Sequence, residues 1–237
     1  MRLFVAGLAA TAALCVTADA GAQTPSRALT AFEVTRTQRL IEHRLACLGC
    51  HRIDGRGGQI GPSLDGLGDR ADADDVRRMI LDPAGTLPGT TMPPQAVRNV
   101  DLDRLVAYLL ALPAEPASAE PLVVPEAPPP IPDSLLYDGA ALYARHCAGC
   151  HGAGGRGDGW NAPNLPIVPT AHADAKLMRE RPDDTLFDAI FAGAFVLDGS
   201  GRMPPFGRLL APTQIRALVA HIRKLCDCAQ PAWAGSR

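Results

Sequence analysis

Three features of the sequence predict an all-α chain built from two small helical domains. Helical periodicity is the only convincing regular pattern, two segments echo each other at an offset of 100 residues, and a proline-rich stretch separates them. A length of 237 residues admits one or two domains. Residues 101–110 place Leu102, Leu105, Val106 and Leu109 on one face, with Asp101 as the expected N-cap and Pro113 as the stop. Residues 213–225 repeat the pattern at Ile215, Leu218, Val219 and Ile222. Further helices are expected over 35–46, 74–81, 134–145 and 183–192. No run of alternating β-branched residues marks a strand.

The echo comprises five features in the same order. Cys47-Leu48-Gly49-Cys50-His51 matches Cys147-Ala148-Gly149-Cys150-His151. Each is followed by a Gly-rich stretch, then by Pro62-Ser63-Leu64 or Pro163-Asn164-Leu165. Met92-Pro93-Pro94 then matches Met203-Pro204-Pro205, and each copy closes with one of the two helices above. The domains are therefore expected at 27–112 and 133–228, with a tail at 229–237. Between them, residues 113–132 hold eight prolines in 20 residues. Proline lacks an amide donor and fixes φ, so this stretch forms neither helix nor central strand and reads as a linker.

Composition narrows the function. With 23 Lys and Arg against 25 Asp and Glu the net charge is −2, and no basic run suggests a nucleic-acid partner. A hydrophobic share of 47% is enough for a core, while 23 Gly and 22 Pro give much of the chain to loops. The N-terminus has a basic start, an apolar run over 3–16 and small-residue cleavage sites at Ala18-Asp19-Ala20 or Ala20-Gly21-Ala22. That run is shorter than the roughly 20 residues that span a bilayer, so residues 1–22 read as a cleaved secretory signal. No later segment is long and apolar enough to cross. The mature protein is expected in the periplasm, where free thiols tend to oxidise.

Cys-x-x-Cys-His carries the chemistry. Two thiols three residues apart on one helical turn can bond the two vinyl groups of one porphyrin, and the next residue offers an imidazole to its iron. Cys47, Cys50, Cys147 and Cys150 are thus expected to hold two haem c groups, with His51 and His151 as iron ligands. The rival chemistries fit less well. A thioredoxin-like pair needs an α/β context, and a zinc site needs four ligands per metal, which Cys226 and Cys228 complete for one motif at most. For the second axial position, Met92 and Met203 stand in matched loops stiffened by Pro-Pro, and His/Met ligation suits electron transfer. Met79 and Met178, 28 and 27 residues after their histidines, compete for this role, but Met79 lies in a helical pattern and reads as core filler, and neither stands in a matched loop. His43, His146, His172 and His221 have no matching place in both copies.

These motifs resemble a tandem dihaem cytochrome c, two class I-type domains joined by a linker, over nearly all of residues 27–228. The resemblance implies that each domain wraps around its haem, and that Gly139 and Tyr143 stand where the first and last helices of the second domain cross. It also implies that the carbonyls of Pro62 and Pro163 accept the N–H of the proximal histidines. The first domain departs from the family pattern, with Arg39 and His43 at the positions of Gly139 and Tyr143. Cys226 and Cys228 stand outside the haem logic and are open to pairing with each other or with another chain. The expected function is single-electron transfer between periplasmic donor and acceptor proteins, alone or as the cytochrome subunit of a dehydrogenase or reductase. The alternative is a dihaem enzyme, a peroxidase or a sulfur-compound oxidoreductase, with one open or replaceable axial site.

Overall fold

The computed structural model describes residues 28–114, 132–194, 196 and 201–235. The expected secretory segment, and the linker at 115–131, lie outside the described residues. The first domain comprises α1 (Ala31–His43), α2 (Cys47–Cys50), α3 (Ala73–Leu81), α4 (Pro83–Thr86) and α5 (Asn99–Leu110). The second comprises α6 (Gly139–His146), α7 (Ala148–His151), α8 (Ala175–Arg179), α9 (Asp183–Ala192) and α10 (Pro212–Leu225).

Local chemistry sets the helix starts. Helix α1 begins four residues before the expected point because Thr30 and Glu33 form a capping box, in which the Glu33 N–H donates to Thr30 Oγ1 at 3.3 Å and the Thr30 N–H donates to Glu33 Oε2 at 2.9 Å. Helix α6 begins five residues late. Asp138 caps the amides of Ala140 and Ala141 at 2.7 and 3.0 Å, and a separate 3-10 turn takes Asp133–Leu135. Asp101 is not the N-cap of α5. The helix starts at Asn99, so Asp101 falls at its third position, where its buried carboxylate accepts from Arg98 Nε at 2.7 Å and Arg104 NH1 at 3.3 Å. One short hairpin escaped the periodicity: Arg52–Ile53 pairs antiparallel with Arg56–Gly57. Its turn residues Asp54 and Gly55 have φ of +53° and +70°, the left-handed pair a two-residue turn needs.

Each domain has its own core. In the first, Ile41 and Leu45 from the α1 side meet Val76 and Ile80 of α3 and the predicted Leu102, Leu105, Val106 and Leu109 of α5. In the second, Leu142 and Tyr143 of α6 meet Leu186 and Ile190 of α9 and the predicted Ile215, Leu218, Val219 and Ile222 of α10. After α10, Cys226 and Cys228 form a disulfide with each other across a Cα–Cα distance of 5.2 Å.

The two copies differ at their helix crossings. A Cβ at Gly139 would lie 2.1 Å from the Ala217 carbonyl oxygen, so α6 and α10 touch backbone to backbone. Tyr143, 1% exposed, fills the space beside that contact. In the first domain Arg39 and His43 are exposed, and the small buried residue of α1 is Thr37, 2% exposed. Arg36, Arg39, Arg44, Arg98 and Arg104 line a groove there instead of a closed crossing.

The domains pack directly on one another through their cysteine motifs. A Cβ at Gly49 would come within 1.9 Å of the Arg202 carbonyl oxygen. Arg145 NH2 donates to Gly89 O at 2.6 Å, and Gln59 Nε2 donates to Asn164 Oδ1 at 3.3 Å.

Gly139→Val should lower stability by about 1–3 kcal/mol by overpacking a backbone contact. Arg39→Gly at the equivalent exposed site should cost only the helix propensity, about 1 kcal/mol. Chemical denaturation of the two variants measures both.

Candidate haem-binding sites

In both copies the two cysteines lie on a single helical turn. In the first copy α2 itself spans Cys47–Cys50, and the His51 amide closes the turn on Cys47 O at 2.7 Å. In the second, Cys147 stands at the N-cap of α7 and His151 at its last position. Burial pushes the Cys47 thiol up to about 11 and those of Cys50 and Cys147 up to about 12, and it raises Cys150 as well. Before haem is attached the four sulfurs are therefore protonated thiols at pH 7.

Each histidine is aimed by a backbone carbonyl. His51 Nδ1 stands 2.8 Å from Pro62 O, and His151 Nδ1 stands 2.9 Å from Thr170 O. A carbonyl only accepts, so Nδ1 carries the hydrogen and Nε2 keeps a lone pair for a metal. Burial lowers the pKa of both imidazoles and holds them neutral, against a smaller opposing effect of these bonds. Gly61 permits the first arrangement, since a Cβ there would sit 2.4 Å from His51 Cε1.

The Pro62 expectation agrees with this geometry; the Pro163 expectation does not. Pro163 lies inside the 3-10 turn Ala162–Asn164, and the carbonyl that holds His151 belongs to Thr170. The reason is loop length. The accepting residue follows its histidine by 11 positions in the first copy and by 19 in the second.

A cavity of about 780 Å³ opens between these elements. Cys147, Cys150 and His151 line it, with Met203, Phe206 and Ile222 among the other walls. Gly49, Cys50 and Ile60 of the first domain reach the same space, as do Thr91 and Pro93 on either side of Met92. Two thiols, a neutral imidazole with a free Nε2 and largely apolar walls fit a porphyrin bonded through its vinyl groups.

The remaining histidines take other places. His172 stacks on His151 with ring centroids 4.2 Å apart, beside the proximal imidazole rather than across the cavity from it. Its Nδ1 lies 2.9 Å from Tyr143 OH, and burial pushes its pKa down to about 2. His146 lies edge-on to Phe206 in the cavity wall, where burial pushes its pKa down to about 4. His221 rests against Tyr143, and His43 is exposed. Met178 is fully buried in the second core, as a packing residue should be.

Comparison with known proteins agrees with this geometry. Residues 34–113 match the cytochrome c family, and residues 135–222 match the family described as cytochrome c oxidase, cbb3-type, subunit III. The chain belongs to the cytochromes c, with two such domains in tandem. This dihaem cytochrome c is 32% identical over 101 residues to the cbb3-type cytochrome c oxidase subunit FixP of Sinorhizobium medicae (strain WSM419). That match covers 41% of the chain and 32% of FixP, so the chain spans about a third of that relative's length. Among solved structures, the c-type cytochrome KustC0563 is 27% identical with a TM-score of 0.29, covering 37% of this chain and 96% of that one. The Kuenenia stuttgartiensis reducing HAO-like protein complex Kustc0457/Kustc0458 is 22% identical with a TM-score of 0.32, covering 65% of this chain and 72% of that one.

The dihaem cytochrome c carries covalently bound haem c in both domains, and Cys47/Cys50 and Cys147/Cys150 fit as the attachment pairs. Sequence reasoning missed Thr170, whose signal was the longer distance from histidine to methionine in the second copy.

Pro163→Ala should leave the optical spectrum and the potential of the second haem unchanged, because Pro163 does not hold the proximal histidine. A redox titration of the variant beside the wild type checks this.

Proposed function

We propose that this dihaem cytochrome c is exported and passes single electrons between periplasmic redox partners, with His51 and Met92 ligating one iron and His151 and Met203 the other. The observation that carries the reading is the second cavity. Met203, on its Pro-Pro-stiffened loop, lines the same space as Cys147, Cys150 and His151. The repeat extends the assignment to Met92, which stands in the matching Met-Pro-Pro loop of the first copy. Holding the iron with a thioether and an imidazole together would raise its potential and leave no place for a substrate, which would suit a carrier better than a substrate-binding iron.

The protein's own residues prepare the site for this work. The carbonyls of Pro62 and Thr170 fix the ring orientation of His51 and His151, so little need move when an electron arrives or leaves. The apolar walls exclude water and reduce solvent rearrangement around the changing charge. When bound, the haem iron supplies the one-electron couple, alternating between ferric and ferrous.

Export is supported by the secretory pattern over residues 1–22 and by the Cys226–Cys228 disulfide, a bond that persists in oxidising compartments. Among the described residues no helix is long and apolar enough to cross a membrane. The likeness to FixP, named as a subunit of a cbb3-type oxidase, supports a working place beside a larger redox complex.

The oxidised protein should show a methionine-to-ferric-iron charge-transfer band equivalent to two haems per chain. Met92→Ala and Met203→Ala should each remove half of it and lower one potential by on the order of 0.1 V, a fraction of the roughly 0.8 V that axial ligands span. A high-spin haem in the wild type would refute the carrier reading and favour peroxide or sulfur-compound chemistry.

Cys147→Ala combined with Cys150→Ala should halve the covalent haem, read as haem-stained protein after denaturing electrophoresis. The same pair of changes at Cys47 and Cys50 should remove the other half.

A further inference from the structure

Asn161 is fully buried, and both the nitrogen and the oxygen of its side-chain amide are engaged. Nδ2 donates to Gly49 O at 3.0 Å and to Cys150 Sγ at 3.3 Å, and Oδ1 accepts the Gln59 N–H at 2.7 Å. Its backbone N–H donates to Gly149 O at 2.9 Å. One residue of the second domain therefore holds the central glycine of both cysteine motifs, each of which directly precedes a haem-bearing cysteine.

The surrounding glycines make room for this arrangement. A Cβ at Gly58 would lie 2.9 Å from Asn161 Nδ2, and one at Gly159 would lie 2.3 Å from Gly149 O. A buried amide bonded through both its nitrogen and its oxygen is rigid, whereas an unbonded one would be costly. The Cys150 sulfur remains a weak acceptor as a thioether, so the contact is compatible with haem attachment.

We propose that Asn161 is a positioning residue for electron exchange between the two haems. It locks the two attachment turns together and supplies a bonded route from Cys50 through Gly49 to its own amide and on to the Cys150 sulfur. The exchange is a single electron. One iron is oxidised from ferrous to ferric while the other is reduced from ferric to ferrous, and no proton or atom moves between them. The proposal rests on the carrier reading above and goes beyond it by making the pair one internally connected unit.

The test uses the full holoprotein. One haem is reduced by a fast photochemical pulse, and re-equilibration with the other is followed optically. Asn161→Asp keeps the shape and the acceptor for Gln59 but faces Gly49 O with an oxygen in place of a donor. Gly58→Ala would put a methyl group 2.3 Å from Gly49 O and 2.9 Å from Asn161 Nδ2, wedging apart the acceptor and the donor of that bond while keeping the Asn161 side chain. Both variants should keep two covalent haems and the wild-type charge-transfer band, yet exchange electrons at least tenfold more slowly. Arg145→Ala, which removes the separate bond to Gly89, should exchange at the wild-type rate within twofold.

Wild-type exchange in Asn161→Asp and Gly58→Ala would overturn the proposal while leaving the carrier reading intact. A slowing in Arg145→Ala equal to theirs would also overturn it, since general domain docking would then suffice. Failure of the carrier reading looks different: a high-spin haem appears in the wild type before any variant is made.

Discussion

Each domain is organised outward from one helical turn that must offer two sulfurs and an imidazole to the same group. The constraint is severe because the three side chains lie within five residues of each other. The turn alone does not aim the imidazole. That requires a carbonyl from elsewhere in the chain, placed so that Nδ1–H is consumed and Nε2 is free, and Pro62 and Thr170 supply it. The Gly-rich segments after each motif exist to bring that carbonyl back under the ring. Gly61 lies flat on His51, where any side chain would displace it. The helices then close around this geometry, and their apolar faces form the walls.

The two copies meet the same constraint by different packing. In the second, Gly139 lets α6 touch α10, and Tyr143 fills the adjacent space while its hydroxyl meets His172. That histidine in turn stacks on His151, so the helix crossing is connected to the proximal ligand through buried rings. In the first copy Arg39 cannot enter such a crossing. The α1 side instead brings Ile41 and buried Thr37 toward the apolar face of α5, and Glu33, Asp101 and their arginines flank that contact. The second helix crossing is thus backed by buried aromatic rings, and the first is flanked by ion pairs. The two therefore sit in different electrostatic surroundings within one chain.

The parts of this architecture that repeat at short range were legible in the sequence. The Cys-x-x-Cys-His turns, the faces of α5 and α10 and the span of α9 depend on spacings of a few residues, and periodicity reports those directly. What depended on the path of a loop was not. Matching Pro163 to Pro62 followed a repeated Pro-x-Leu, but the second loop is longer and its returning carbonyl arises at Thr170. The start of α1 at Ala31 was missed because a capping box outweighed the hydrophobic pattern. Asn161 was invisible for a different reason. Its meaning comes from the other domain's backbone, and a buried polar residue leaves no periodic trace.

The domain interface gains its strength from the covalent connection between the domains. Among the described residues its polar contacts include the Asn161 bonds, Gln59 to Asn164 and Arg145 to Gly89. As contacts between separate molecules, individual hydrogen bonds of this kind would repay little of the cost of association. Within one chain the second domain is always present at high effective concentration, and a weak contact suffices to hold it. Tandem fusion therefore changes what the interface can be selected for. It need not be large or apolar, and can be built from glycines and one amide that bring the attachment turns as close as backbone sterics allow. A larger apolar interface would hold the domains together but would space these turns with bulky side chains. Close approach of the two haem-bearing turns is the property that tethering makes available.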